Sequence, residues 1–454
     1  MKTKLFFTIL ACTFFASGYG QQCESFMDNV MTSNADGAYA VIAADFDGDG
    51  DEDAVAGYDL ANTIALWRND GAGNFTEEII TTMAGGVLSL SKGDFNDDGN
   101  MDFVAAYSLT DIVAWWANDG SGNFTENVMS TSADGAYSVF ADDIDNDGDD
   151  DVVAAYFIDD SVAWFENDGS GNFTEEIISD QTDGARSVYA ADLDNDGDLD
   201  ALSASENDGK LAWYEFLQGS GTFGTQQIIV TEPNGAWRVT AANIDSGSNI
   251  DVIANLDVGA TSRTVWFEND GTPAFTERLI ASPTESDWLF PYDIDDDGDI
   301  DVISAEFFDN KIVYFQNLDG QGGDFDECLV VEPNPVREWP NCIDVADFNN
   351  DMGPDIISTW YTGDVVSWQE LGHLGLDDNL LSSFTVYPIP TTGILNIQSK
   401  TAIVQIDIYS QLGQLVLSNT NENQIDISEL RQGIYYIKVM DVTGDFGTKK
   451  VVKK

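Results

Sequence analysis

The segment Asp45-Phe-Asp47-Gly-Asp49-Gly50-Asp51-Glu-Asp53 returns, with drift, at Asp94, Asp143, Asp192, Asn243, Asp293 and Asp347. Successive starts lie 49, 49, 49, 51, 50 and 54 residues apart. A steady period of this length marks one supersecondary unit repeated, and such a unit buries its apolar faces only against its own copies. The chain must therefore stack or close into a ring.

One repeat shows how the unit is built. Tyr137-Ser-Val-Phe-Ala-Asp leads into an acidic loop, and Asp151-Val-Val-Ala-Ala-Tyr156 leaves it. Val162-Ala-Trp164-Phe165-Glu follows, then the turn cluster Asn167-Asp168-Gly169-Ser-Gly171-Asn, then Phe173-Thr-Glu-Glu-Ile-Ile178. Short β-branched and aromatic runs between Gly, Asn and Asp turns read as strands. No helical period competes with them between 21 and 370. Four strands in each of seven repeats predict a seven-bladed β-propeller, which leaves only short, protected sheet edges. The run Phe26 to Tyr39 copies Phe124 to Tyr137 at an offset of 98, whereas the last repeat runs out near Trp368 after its third strand. Residues 24–32 are therefore expected to supply the missing strand and close the last blade. The third-strand aromatics Trp67, Trp116, Phe165, Tyr214, Phe267, Phe315 and Trp368 read as core, as do Trp115, Trp164, Trp213, Trp266 and Tyr314 on the other face.

The acidic loops place side-chain oxygens at positions 1, 3, 5 and 9, with a backbone carbonyl available at 7. Hard oxygen donors in that number suit Ca²⁺, and Gly at position 6 allows the turn that wraps the loop round one ion. An EF-hand would need Glu at position 12 and flanking helices; here a strand follows position 9 at once. The candidate ligands are Asp45, Asp47, Asp49, Asp51 and Asp53; Asp94, Asn96, Asp98, Asn100 and Asp102; Asp143, Asp145, Asp147, Asp149 and Asp151; Asp192, Asp194, Asp196, Asp198 and Asp200; Asp293, Asp295, Asp297, Asp299 and Asp301; and Asp347, Asn349, Asp351 and Asp355. In the fifth loop Gly247 stands where a carboxylate belongs, and in the seventh Met352 replaces the turn Gly. About five loops are thus expected to bind calcium well, and these two weakly if at all.

Lys2 and Lys4, the apolar run Leu5 to Phe15 and the small residues up to Gly20 read as a signal peptide over 1–20, leaving Gln21 first. No later run approaches the ~20 apolar residues of a membrane helix. The net charge is -63, and nearly all of it falls in the repeats, which argues against nucleic acid or an anionic membrane as partner. An exported chain can form a disulfide, and Cys23, Cys328 and Cys342 leave the pairing open. After a linker over 371–382, alternating apolar residues between Gly turns predict a small Ig-like β-sandwich over 383–454.

These motifs carry two resemblances. The acidic repeats over about 24–370 resemble the FG-GAP or VCBS units of the integrin α-subunit propeller and of secreted bacterial proteins. That resemblance implies calcium that stiffens blades. The C-terminal segment, with Tyr387-Pro388-Ile-Pro390, Gly433-Ile-Tyr-Tyr-Ile-Lys-Val439 and the basic end Lys449-Lys-Val-Val-Lys-Lys454, resembles the type A sorting domain of the type IX (Por) secretion system of Bacteroidetes. It implies export to the cell surface or beyond, with that machinery as partner. Ile389 departs from the Asn usual between those prolines.

Strand direction puts the acidic loops and the Asn-Asp-Gly turns on one rim. The other rim collects Tyr39, Tyr58, Tyr107, Tyr137, Tyr156, Trp237, Trp288, Phe307, Phe308, Trp339, Trp360 and Tyr361, with Arg186, Arg238 and Arg337. Aromatics gathered with scarce cations suggest recognition. Tyr39, Tyr137, Arg186, Trp237, Trp288 and Trp339 are the candidate ligand contacts. The expectation is an exported, calcium-stabilised binding or adhesion module for a glycan or protein, and not an enzyme. The alternative is a propeller-type polysaccharide lyase or another carbohydrate-active enzyme. The one histidine, His373, lies in the linker, so no His base is available inside the ring.

Overall fold

The computed structural model describes residues 23–257, 262–272, 274–282, 286–333 and 337–372, and, further on, 385–387, 391, 393–399, 403–410, 415–420, 423–428, 430–431, 433–441 and 446–454. The expected signal peptide, His373 and nearly all of the linker lie outside the described residues. The chain divides into two units, Met1–Leu371 and Gly372–Lys454. Among the described residues every regular element is a strand.

In the first unit the described residues form seven four-stranded antiparallel sheets and one short two-stranded hairpin, Phe216–Leu217 with Thr222–Phe223. The third sheet is typical: Ala136–Asp142, Asp151–Tyr156, Ser161–Asn167 and Phe173–Ser179 lie side by side in chain order. The first strands of the sheets are Ala38–Ala44, Val87–Gly93, Ala136–Asp142, Ala185–Ala191, Ala236–Ala242, Ser286–Tyr292 and Pro340–Ala346. They touch one another in that order, and the last touches the first. The sheets thus surround an axis as a β-propeller. Ser25–Thr32 is the outer strand of the seventh sheet, beside Val365–Gly372.

The core lies between neighbouring sheets. Ile42, Val55 and Leu66 of the first sheet pack on Leu90, Phe103 and Trp116 of the second. The expected aromatic stripe is buried throughout, as are Trp115, Trp164, Trp266 and Tyr314 on the opposite face, while Trp213 is half-buried. Each such side chain removed from water contributes about 1.5–3 kcal/mol.

A polar ladder fastens the sheets together. The Asn that ends the third strand donates from Nδ2 to the carbonyl at loop position 2 of the preceding sheet. Asn118 reaches Phe46 O at 2.8 Å, Asn167 reaches Phe95 O at 3.0 Å, and Asn317 reaches Ile244 O at 2.9 Å. Asn69 makes the same bond to Phe348 O at 2.7 Å and so closes the ring from last sheet to first. The closure is clasped twice more. A disulfide joins Cys23 to Cys328, and Arg337 grips Asp28 with both terminal nitrogens. Cys342 is free and buried.

The second unit has a three-stranded sheet, Thr385–Tyr387, Ile394–Gln398 and Gln424–Asp426. Its other sheet has four strands, Leu415–Thr420, Ile403–Ser410, Gly433–Asp441 and Phe446–Lys453. Leu395, Ile397, Ile406, Ile408, Ile425 and Ile437 fill the space between them. Pro388 to Pro390 lie outside the described residues.

Several residues read as rim aromatics belong to the core instead. Tyr58, Tyr107, Tyr156 and Trp360 are fully buried. Each tyrosine ends a second strand and turns inward: Trp67 Nε1 donates to Tyr58 Oη at 3.0 Å, and Trp116 Nε1 to Tyr107 Oη at 2.7 Å. Arg337 is likewise buried, its guanidinium held by the Asp28 carboxylate, and is not presented to a ligand.

Candidate metal loops and the opposite rim

The acidic loops and the Asn-Asp-Gly turns meet on one rim. Asn350 Nδ2 of the seventh loop donates to Asp51 Oδ1 at 2.8 Å and to Gly71 O at 3.2 Å. Within a loop, position 1 organises the turn. Its carboxylate accepts the backbone N–H of position 6, from Gly50 to Asp45 at 3.0 Å, Gly99 to Asp94 at 2.8 Å, Gly148 to Asp143 at 3.1 Å and Gly298 to Asp293 at 2.9 Å. These glycines sit at φ between 84° and 100°. Met352 takes the same role in the seventh loop, donating to Asp347 Oδ2 at 2.8 Å from φ 72°, a left-handed conformation that strains a residue with a Cβ. The fifth loop is differently shaped: Asn243 Nδ2 donates to Gly247 O, and Gly247 N to Asp245 Oδ1.

Four loops bring three carboxylates within 4.8 Å of one another: Asp45, Asp47 and Asp53; Asp143, Asp145 and Asp147; Asp192, Asp194 and Asp196; and Asp293, Asp295 and Asp297. In the second and seventh loops Asn96 and Asn349 occupy position 3, so a carboxylate trio does not form there. The donor set fits a hard cation on a second ground. Asp47 Oδ1, Asp145 Oδ1, Asp151 Oδ2 and both carboxylate oxygens of Asp198 are buried without a hydrogen-bond partner, and buried acceptors of this kind are costly unless something satisfies them.

Position 9 has a structural duty the spacing did not reveal. Asp102 accepts the backbone N–H of Asn118 at 2.7 Å and of Phe95 at 3.2 Å, tying the loop to the end of the third strand. Asp200, Asp301 and Asp355 repeat the arrangement, and so does Asp251 in the degenerate fifth loop. Burial pushes Asp102, Asp301 and Asp355 up to about 7 and Asp200 up to about 8, against the pull of those backbone hydrogen bonds.

On the other rim five of the six candidate ligand residues surround one cavity on the axis. Tyr39, Tyr137, Arg186, Trp237 and Trp288 line it with Arg238, Asp287 and Asn341. Arg186 Nη2 lies 2.6 Å from Asp287 Oδ1 and its Nη1 2.8 Å from Glu206 Oε2. Its guanidinium also sits 4.8 Å from the Trp237 ring centroid. Arg238 stacks at 3.4 Å on Trp288, and burial holds its pKa down to about 10. The cavity encloses about 20 Å³, room for a water-sized occupant. Trp339, the sixth candidate, stands apart, stacked between Phe307 and Tyr361.

One set of rim residues was singled out from sequence only at Phe308. Leu60, Leu109, Ile158 and Phe308 are 55%, 71%, 61% and 54% exposed. All four occupy the same place, two residues past the second strand, and it is that repeat position, not residue type, that marks them.

Comparison with known proteins agrees with the fold and with both resemblances. The family profile for an FG-GAP-like repeat matches residues 45–105, 94–154 and 143–203. That for a secretion system C-terminal sorting domain matches residues 385–454. Beta-agarase D of Zobellia galactanivorans is 35% identical over 68 residues, which is 15% of this chain and 14% of that protein's length. Among solved structures, BBS1N in complex with ARL6DN aligns at a TM-score of 0.54 and 10% identity over 78% of this chain and 99% of that one. The extracellular domain of the hybrid two-component system BT4673 of B. thetaiotaomicron aligns at 0.50 and 9% identity over 95% of this chain and 59% of that one. At such identities these likenesses show the fold alone. No helix among the described residues is long and apolar enough to cross a membrane. The chain is an all-β propeller that contains three FG-GAP-like repeats, followed by a secretion-system C-terminal sorting domain that indicates export to the cell surface or beyond.

Proposed function

We propose that the exported propeller is a calcium-stabilised binding module whose rim opposite the acidic loops takes a glycan or an extracellular protein. The observation that carries this reading is the convergence of Tyr39, Tyr137, Arg186, Trp237 and Trp288 on one axial cavity, ringed by the exposed Leu60, Leu109, Ile158 and Phe308. Exposed apolar side chains in register around a ring are what a docking surface needs. The cavity is too small for a sugar ring, so the ligand lies across its mouth. The role is binding and not catalysis. Burial pushes the Tyr39 hydroxyl well above the usual tyrosine range and the Tyr137 hydroxyl above it, so neither serves as a base near neutral pH. Calcium would occupy about five of the seven loops, the degenerate fifth least readily. Bound calcium would draw the loop carboxylates onto one ion and raise the stability of the folded ring.

The test is retention of glycan and protein ligands by the full chain against Trp237→Ala and the surface variant Leu109→Asp/Ile158→Asp. Loss in both places the ligand on this rim. Retention in both, with folding intact, rejects it. Formation of an unsaturated product from an acidic polysaccharide would favour the lyase alternative.

A further inference from the structure

In six of the seven repeats one residue at or just past the end of the third strand stands at a fixed place relative to the acidic loop of its own sheet, and its charge changes sign round the ring. It stands 21 residues after loop position 3. Arg68 Nη1 reaches Asp47 Oδ2 at 2.6 Å, Gln316 Nε2 reaches Asp295 Oδ2, and Asn349 Nδ2 donates to Glu370 Oε1 at 3.3 Å. The same offset leads from Asn96 to Ala117, from Asp145 to Glu166 and from Asp194 to Glu215. The position is therefore basic at the first loop, neutral at the second and sixth, and acidic at the third, fourth and seventh.

The first loop differs from the rest in two further ways. Its clustered carboxylates are positions 1, 3 and 9, whereas the third, fourth and sixth loops cluster positions 1, 3 and 5. Its arginine is also anchored, with Nε on Glu78 at 3.0 Å and Nη2 on Ser121 O at 2.9 Å. The local sequence explains how it fits. Trp115 and Trp266 lie beneath Gly171 and Gly322 of the next sheet's turns, but the first sheet has Leu66 at that place. Arg68 Nη2 fills the space under Gly122 instead.

We propose that this third-strand side chain sets how strongly each loop takes a divalent cation, and that Arg68 is a built-in counter-charge that makes the first loop a weak site. The proposal rests on the reading that the loops bind calcium. A guanidinium bonded to Asp47 competes with a cation for the same oxygen and repels it. A carboxylate at the same place adds a ligand or a favourable charge, and ligand charge is a main determinant of calcium affinity. The first loop, complete by its motif, thus ranks below the third and fourth.

The experiment is calcium stoichiometry by equilibrium dialysis, with terbium luminescence titration, on the full chain and on Arg68→Gln, Arg68→Lys and Glu166→Gln. Arg68→Gln is expected to add one bound ion or to tighten the weakest site by about tenfold or more, and Arg68→Lys to stay near wild type. Glu166→Gln is expected to weaken one site by about tenfold. If wild type binds calcium and neither Arg68→Gln nor Glu166→Gln moves any site, this proposal is overturned and the calcium reading stands. If wild type binds no calcium, both fall together.

Discussion

Tyr39 and Tyr137, separated by 98 residues in the chain, share a hydrogen bond of 3.0 Å between their hydroxyls. That separation is the two-repeat offset at which the segment before the first sheet copies the one before the third, so equivalent residues of alternate sheets meet at the axis. The bond lies beside Arg186 and Asp287, and it makes the axial cluster a connected network and not a chance gathering of rings.

Removing either hydroxyl should therefore be felt by the other. Tyr39→Phe and Tyr137→Phe are each expected to lower stability by about 1 kcal/mol, with the double variant less destabilised than the sum. Chemical denaturation of the four proteins measures the coupling.

The structural duty of position 9 predicts a loss that calcium does not govern. Asp251→Ala leaves the N–H groups of Ile244 and Asn269 without their acceptor and should cost about 2–4 kcal/mol. The loss should be equal in EDTA and in calcium, because the fifth loop lacks a full ligand set. Asp145→Ala should instead remove only stability that calcium adds. Paired melts of both variants in the two buffers separate the roles.

Glu306 predicts a pH dependence away from the acidic loops. It is buried at the end of its strand, where burial pushes its pKa from 4.5 up to about 7 although the Ser304 hydroxyl donates to it at 2.8 Å and Lys311 lies nearby. A raised folded pKa favours the fold fully below the unfolded value, and that contribution is lost as pH rises through about 7. Glu306→Gln should raise the melting temperature at pH 8 and change it little at pH 4. The difference corresponds to about 3 kcal/mol, read from melts across that range.

The disulfide predicts a redox-sensitive closure. Cys23–Cys328 ties the outer strand of the seventh sheet to the sixth across 305 residues of chain. Cys23→Ser/Cys328→Ser should lower stability by about 2–5 kcal/mol, and limited proteolysis should find cleavage sites near Ser25–Thr32 first.

Much of the fold was legible because its repeat is. The offset copy of Phe26 to Tyr39 foretold the place of Ser25–Thr32 beside Val365–Gly372, whereas the spacing of acidic residues did not say which three carboxylates of a loop gather. Other features depended on what packs against what. Alternation along a strand says that Tyr58 and Tyr107 face one side, but when both sides are covered it does not say that their hydroxyls meet Trp67 and Trp116. The second duty of position 9 stayed hidden because a backbone N–H acceptor leaves no mark in side-chain spacing. The choice of Cys23 with Cys328 over Cys342 required the closed ring that brings their sheets together.

The most direct test of the account is a thermal melt of the full chain in EDTA and in millimolar Ca²⁺. Loops that gather carboxylates and leave buried oxygens without partners should bind calcium only when folded, so calcium should raise the melting temperature markedly, with magnesium doing less. An unchanged melt across both buffers would contradict it, and the acidic loops would then be turns held by their own hydrogen bonds.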